Sequence, residues 1–250
     1  MSSRENFSKP KNMTDISRFT SVFEKIVYGK SEAQVFDDFL DISICCLSAQ
    51  RYEEEYLTII KKYERKEVDL FCELFAEMTM VMDNGGTGLT DCLGEFFTKH
   101  ITRGRNGQFF TPEHVCDFMG SITIDQNSNG QKIFDPACGS GRMLLSAAKI
   151  SRSNYFFGAD IDNRCSKMTA INLCLNGLFG EVAWMNSLSM EHWGGYTITP
   201  HEKHPFIPTI KKLSAMEGYI YGYAVEELKE RSRTKINDKT IIATQTKLEL

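Results

Sequence analysis

The chain has 250 residues, 42% hydrophobic and 25% charged, with a net charge of −4 at pH 7. This is the balance of a globular chain of one or two domains, and its sign argues against free-standing, non-specific nucleic-acid binding. No run of 18 apolar residues and no apolar leader after Met1-Ser2-Ser3-Arg4 occurs, so neither a membrane span nor a secretory signal is expected and the cytoplasm is the default location.

Residues 14–101 carry helical periodicity without strand-like alternation. Ile16, Phe19, Val22, Phe23, Ile26 and Val27 form one apolar stripe. A second, with Val35, Phe36, Phe39 and Leu40, follows the break at Gly29. Tyr52, Tyr56, Ile59, Ile60 and Tyr63 mark a third helix, and Leu70, Phe71, Leu74, Phe75, Met78 and Met82 a fourth that stops at Gly85-Gly86. Leu93, Phe96, Phe97 and Ile101 predict a fifth. Such aromatic and methionine stripes read as the core of a small bundle. The eight cysteines include no C-x-x-C pair, which argues against a zinc site and for small buried hydrophobes in a reducing compartment.

The chemistry-bearing residues begin at Gln108-Phe109-Phe110-Thr111-Pro112, where Thr111 suits an N-cap and Pro112 the first helical position. His114 reads as an exposed first-turn residue. Ile133-Phe134-Asp135-Pro136-Ala137-Cys138-Gly139-Ser140-Gly141-Arg142-Met143-Leu144 then reads as strand, glycine loop and helix start. Gly139 and Gly141 can take positive φ, and Asp135 falls at the carboxyl end of the strand, where open α/β sheets bind ligands. Tyr155 to Asp160 predicts a second buried strand ending in an acid, 25 positions after Asp135. An acid about 20 residues beyond a glycine loop commonly accepts from ribose hydroxyls. A helix carrying Met168, Ile171, Leu175 and Leu178 leads to a third strand, 181–185, followed by Asn186-Ser187-Leu188. Taken singly, the first segment is an ordinary helix cap and the second a nucleotide-binding loop of unspecified kind.

In this order the four segments resemble the S-adenosylmethionine half of the N6-adenine DNA methyltransferases, above all the modification subunits of type I restriction systems. The resemblance covers about residues 90–190. It implies an α/β fold: a Rossmann-like methyltransferase sheet, incomplete here, preceded by an all-α N-terminal region. The expected division is 1–101 helical, 102–212 cofactor-binding, and 213–250 a C-terminal helix and tail. The resemblance also implies a cofactor set. Gln108, Phe109, Phe110, Thr111 and Pro112 close over the methionine end, with Thr111 bonding its carboxylate. Ala137, Gly139, Ser140 and Gly141 approach the methionine moiety through their backbone, and Asp135 stands near its amino group. Asp160 takes the ribose hydroxyls, Ile161 and Leu188 cover the adenine faces, and Asn186 meets its edge. No metal is needed. The implied partners are DNA and a specificity subunit or second methylase chain.

One family feature is absent. Members that methylate adenine carry Asn/Asp/Ser-Pro-Pro-aromatic after the fourth strand, and this chain has no Pro-Pro. The amino nitrogen of adenine is a poor nucleophile, so a side-chain oxygen and a backbone carbonyl must accept its hydrogens as charge develops, while the aromatic ring stacks on the flipped base. His204-Pro205-Phe206 is only a degenerate candidate: Phe206 could stack, but His204 has no carboxamide. Two functions therefore follow from the sequence. One is a DNA adenine-N6 methyltransferase subunit working with a missing half. The other is a non-catalytic cofactor-binding or interaction protein derived from such an enzyme.

Lys99, His100, Arg103 and Arg105 form a basic group beside the expected cofactor site, a candidate for DNA phosphate. Lys229, Arg231, Arg233 and Lys235 are interleaved with Glu226, Glu227 and Glu230 and read as a solvated helix face. Past Leu188, Pro200, Pro205 and Pro208 predict a loop or extended segment over 199–209. Residues 216–231 read as a helix, and 236–250 as a short strand or an unstructured tail.

Overall fold

The computed structural model describes residues 15–102 and 110–230. Gln108, Phe109, Arg103, Arg105, Arg231, Arg233, Lys235 and the tail 236–250 lie outside the described residues.

The N-terminal stripes fold as helices α1 (Ser17–Ile26), α2 (Glu32–Cys46), α3 (Glu53–Ile60), α4 (Arg65–Asp83) and α5 (Cys92–Phe96). Phe96 is the hub: its ring meets Phe19 at 4.9 Å, Phe23 at 4.7 Å and Phe36 at 5.6 Å. Burying a ring of this size contributes about 1.5–3 kcal/mol. After Phe96 the helix widens into a π-turn over Phe97–Thr102. The predicted fifth helix is thus an α-turn and a π-turn in series.

Three parallel strands follow: β1 (Lys132–Asp135), β2 (Tyr155–Asp160) and β3 (Gly180–Asn186). They are connected by α7 (Arg142–Ile150) and α8 (Asn163–Leu175), and α6 (Glu113–Thr123) packs on α7. The approach is close at Gly120, where an added Cβ would stand 3.2 Å from the Ser146 carbonyl. Asp117 accepts from Ser146 Oγ (2.6 Å) and Lys149 Nζ (2.9 Å), which fixes α6 on α7.

Past β3, where no strand was read from the sequence, the chain forms a hairpin whose turn falls in the expected loop or extended segment 199–209: β4 (Glu191–Pro200) is antiparallel to β3 and β5 (Pro208–Leu213) antiparallel to β4, giving sheet order β1-β2-β3-β4-β5. Trp193, Tyr196, Thr197 and Ile198 supply the β propensity. Of the prolines that read as loop signals, Pro205 lies in the turn, and Pro200 opposite Pro208 is the last ladder pair, where no further hydrogen bond is lost. Gly195 is needed because a Cβ there would collide with the Val182 carbonyl.

A final helix, α9, spans 219–230. Its first amides, Tyr219 and Ile220, donate to the Glu181 carboxylate at 2.8 and 2.7 Å. One face of the sheet shares a continuous apolar core with α7, α8 and the N-terminal helices, while Phe157, Ala159, Ala183 and Met185 on the other face pack against Ile220 and Ala224. The hairpin is also tied to the helical region: the Ile210 amide donates to the Leu47 carbonyl and the Lys212 amide to Tyr52 Oη. Among the described residues β1 pairs on one side only, and its Phe134 is half-exposed. None of the described helices is long and apolar enough to cross a membrane.

Candidate functional site

The last residues of β1, β2 and β3 are Asp135, Asp160 and Asn186. Above this edge lies an open cleft of about 380 Å³ lined by Phe110, Pro136, Ala137, Gly139, Asp160, Ile161, Cys165, Met185, Asn186, Ser187 and Leu188. Its size falls in the range of small-molecule sites, roughly 300–1,000 Å³. Of the cofactor residues expected from the sequence, Phe110, Ala137, Gly139, Asp160, Ile161, Asn186 and Leu188 therefore meet in one cavity.

Asp160 organises its floor. Its Oδ2 accepts from the Gly139 amide and its Oδ1 from the Asp162 amide, both at 2.9 Å. Burial pushes this carboxyl above the ordinary carboxylate value, opposed by those two amides. Gly139 stands at φ 55° against the Phe110 ring, where an added Cβ would come within 3.0 Å. Trp184 Nε1 donates to the Ile161 carbonyl (3.1 Å) and Ser187 Oγ to the Pro136 carbonyl (2.6 Å), which ties the three loops together. Ile161 and Leu188 leave 61% and 87% of their surface exposed, so two apolar side chains border the cavity with no cover of their own.

Other expected residues sit elsewhere. Asp135 lines the adjacent groove between β1, α6 and α7. Its Oδ1 accepts from the Ala137 amide at 3.0 Å, and burial raises its carboxyl as well. Ser140 and Gly141 lie beneath the cavity floor: Ser140 is buried, and the Gly141 amide donates to the Cys138 carbonyl. Thr111 is not the N-cap of α6. Pro112 occupies that position with extended ψ of 143°, so the helix begins one residue later than the motif reading. The Thr111 carbonyl accepts from Arg142 Nη1 at 3.1 Å.

His204, Pro205 and Phe206 are in the β4–β5 turn. Because β4 runs antiparallel, from Glu191 opposite Asn186 to Ile198 opposite Gly180, this turn projects past the starts of the parallel strands. It is separated from the cavity by the length of β3, about 20 Å at 3.3 Å per residue. It cannot present a group there, and Phe206 is 98% exposed. Of the basic group, Lys99 is engaged by Glu95 at 2.6 Å and His100 stacks on Phe96.

Sequence reasoning missed Asp91, Arg142 and Asn172. Asp91 is buried and accepts from Ser140 Oγ (2.5 Å), Arg142 Nε (3.1 Å), Asn172 Nδ2 (2.9 Å) and the Gly94 amide (2.8 Å). The one sequence signal was local: an aspartate three residues before a glycine at a helix start marks an N-cap.

Residues 91–204 match the family described as N-6 DNA Methylase. The chain is similar to the methylase subunit of the type I restriction enzyme MpnII of Mycoplasma pneumoniae, 24% identical over 111 residues, which cover 40% of this chain and 20% of that protein. It is also similar to the methylase subunit of the type I restriction enzyme MjaIX of Methanocaldococcus jannaschii, 31% identical over 123 residues, 46% of this chain and 21% of that one. Among solved structures, it matches the methyltransferase subunit of a type I restriction-modification system from Streptococcus thermophilus with a TM-score of 0.34 and 21% identity, over 64% of this chain and 36% of that chain. The matched stretch spans about a fifth of the length of each curated relative. Asp91, the first residue of the stretch that matches the N-6 DNA Methylase family, is the one buried beneath the glycine loop.

Proposed function

We propose that the cleft binds S-adenosylmethionine and that the chain serves methyl transfer to adenine N6 in DNA, as a cytoplasmic subunit working with a partner. The observation that carries this is the meeting of Asp160, Gly139, Ile161, Asn186 and Leu188 in one cavity at the carboxyl ends of three parallel strands.

The cavity fits the cofactor group by group. A carboxylate has about four lone-pair positions, and two backbone amides occupy one on each oxygen of Asp160. Each oxygen thus keeps one for a ribose hydroxyl. Asn186 Oδ1 is taken by the amides of Leu188 (3.0 Å) and Ser189 (3.2 Å), leaving its NH₂ group to donate to a ring nitrogen. Ile161 and Leu188 cover the two faces of the base. The amino-acid tail then extends along the remaining wall, Phe110, Gly139 and Ala137. The bound cofactor supplies an electrophilic methyl group on a sulfonium, so no metal or activated nucleophile of the protein is required. The chain's own part is to hold that methyl group in place and screen it from water.

The acceptor for the adenine N6 hydrogens is assigned to a partner, such as a second methylase chain, because no Pro-Pro-aromatic segment occurs here. Among the described residues β1 pairs on one side only and its Phe134 is half-exposed, which supports a partner at this side of the sheet, since an open strand edge is a template for another chain. The test is transfer of labelled methyl from S-adenosylmethionine to DNA, with this chain alone and with a chain that carries the Pro-Pro-aromatic segment. Transfer only with both is expected. The second reading, a non-catalytic relative that retains the cofactor site, is favoured by the same absent segment; cofactor binding without transfer in any combination would establish it.

A further inference from the structure

The glycine loop is held from below by groups that the cofactor cannot touch. Asp91 receives five donors. Its Oδ1 accepts from the Gly94 amide (2.8 Å) and Asn172 Nδ2 (2.9 Å). Its Oδ2 accepts from Ser140 Oγ (2.5 Å), Arg142 Nε (3.1 Å) and Arg142 Nη2 (3.0 Å). The Asp91 side chain is only 4% exposed, and the Ser140 residue 1%. An unpaired carboxylate so placed would be strongly unfavourable, so the arrangement of donors around it is tightly specified.

Each donor leads to a different part of the site. Ser140 is the centre of the glycine loop, whose flanks Gly139 and Gly141 both stand at positive φ. The loop's carbonyls point the same way, down onto α8: Thr169 Oγ1 donates to Gly139 O (2.9 Å) and Asn172 Nδ2 to Ser140 O (2.7 Å). With the Ser140 hydroxyl and the loop carbonyls drawn to one side, the Gly139 amide is left toward Asp160 and the cavity. Arg142 grips Asp91 through Nε and Nη2, while its Nη1 holds the Thr111 carbonyl. The same carboxylate therefore ties α5, the glycine loop, α8 and the start of the Thr111-Pro112 segment. Gly94 leaves room for the junction, since a Cβ there would collide with Asp91 Oδ2 and Ser140 Oγ.

We propose that Asp91 is a positioning residue for the amino-acid end of the cofactor cleft, acting through Ser140 and Arg142. It sets the path of Gly139 and the placement of Thr111 without touching the ligand. This rests on the reading of the cleft as an S-adenosylmethionine site. The tail wall, Phe110 and Gly139, is adjacent to the residues Asp91 holds, whereas the base wall, Ile161, Asn186 and Leu188, is carried by β2 and β3. Loosening the junction should therefore weaken recognition of the tail more than that of the nucleoside, since Asp160 keeps the Asp162 amide when Gly139 shifts.

The experiment compares two ligands by calorimetric titration: S-adenosylmethionine, and 5′-methylthioadenosine, which has the base, ribose and sulfur but lacks the amino-acid tail. Ser140→Ala and Arg142→Gln are measured with Asp91→Asn. The first two keep the buried carboxylate partly paired and should fold even if Asp91→Asn does not. In each folded variant the affinity for S-adenosylmethionine should fall about ten-fold or more, the loss of one charge-assisted hydrogen bond's worth of order, while that for 5′-methylthioadenosine falls by clearly less. Equal weakening of both ligands, or no weakening of either, overturns the positioning role and leaves the cofactor reading standing. If the unsubstituted chain binds neither, the cofactor reading itself fails, and this assignment with it.

Discussion

The Gly139 amide donates to Asp160 Oδ2 at 2.9 Å, joining the glycine loop after β1 to the acid at the end of β2. This bond orients the carboxylate and the loop in one step, and it uses only one lone pair of the oxygen it engages.

Gly139→Ala should cost stability and narrow the cleft together. Gly139 stands at φ 55°, and its new Cβ would press on the Phe110 ring at 3.0 Å. A left-handed alanine costs roughly 1–2 kcal/mol, which for a chain of this size lowers Tm by roughly 2–8 °C. Thermal unfolding measures the first effect, and loss of S-adenosylmethionine affinity in the folded variant the second.

Burial holds the carboxyls of Asp160 and Asp135 above the ordinary 3.8. A carboxyl raised on folding favours the folded state most while protonated. Its contribution is full below 3.8 and is lost as pH rises to the folded value. Ribose hydroxyls donate to the ionised form, so cofactor affinity should move oppositely, increasing as pH rises through the raised value. Titrations between pH 4 and pH 7 should show affinity climbing with a midpoint above 3.8; affinity that is flat or falls over that range counts against Asp160 as the ribose acceptor.

The thiols should divide sharply. Cys138 and Cys165 are buried beside the loop, and burial pushes both well above the ordinary thiol value. Cys46 and Cys72 are exposed, and thiolate reactivity follows exposure and pKa. Alkylation of the native chain at pH 8 should mark Cys72 first, then Cys46, whose thiol is pushed up by burial, and leave Cys138 and Cys165 intact until denaturant is added. Mass mapping of the modified peptides reads the order.

Phe206 should be dispensable to the cleft. It is 98% exposed in the β4–β5 turn, beyond the opposite ends of the parallel strands. Phe206→Ala should leave both Tm and cofactor affinity unchanged within error; a clear loss of binding would place this turn at the site after all.

The parts of this fold that were legible in the sequence are those where one local pattern carries the structure. Asp135, Asp160 and Asn186 were readable as strand ends because each closes a short apolar run before a turn. The N-terminal helices were readable because Phe19, Phe36, Phe39 and Leu74 recur at helical spacing and are fully buried. The hairpin was not, since the need for Gly195 against the Val182 carbonyl of β3, for Gly194 against the Leu213 carbonyl of β5, and for Pro200 and Pro208 at the end of the β4–β5 ladder exists only once the strands are side by side. Asp91 was legible as a cap for Gly94 but not as an anchor for Ser140, 49 positions away, because a contact between distant segments leaves no period in the sequence. Asp135, placed correctly on its strand, lines the neighbouring groove rather than the cleft, a difference of side-chain direction that strand assignment does not fix.

The most direct test of the central claim is calorimetric titration of the purified chain with S-adenosylmethionine, beside Asp160→Ala as control. The account predicts a single site of micromolar affinity in the unsubstituted chain and its loss in the variant, with Tm of the free proteins comparable. No binding by the unsubstituted chain, or equal binding by Asp160→Ala, would contradict it.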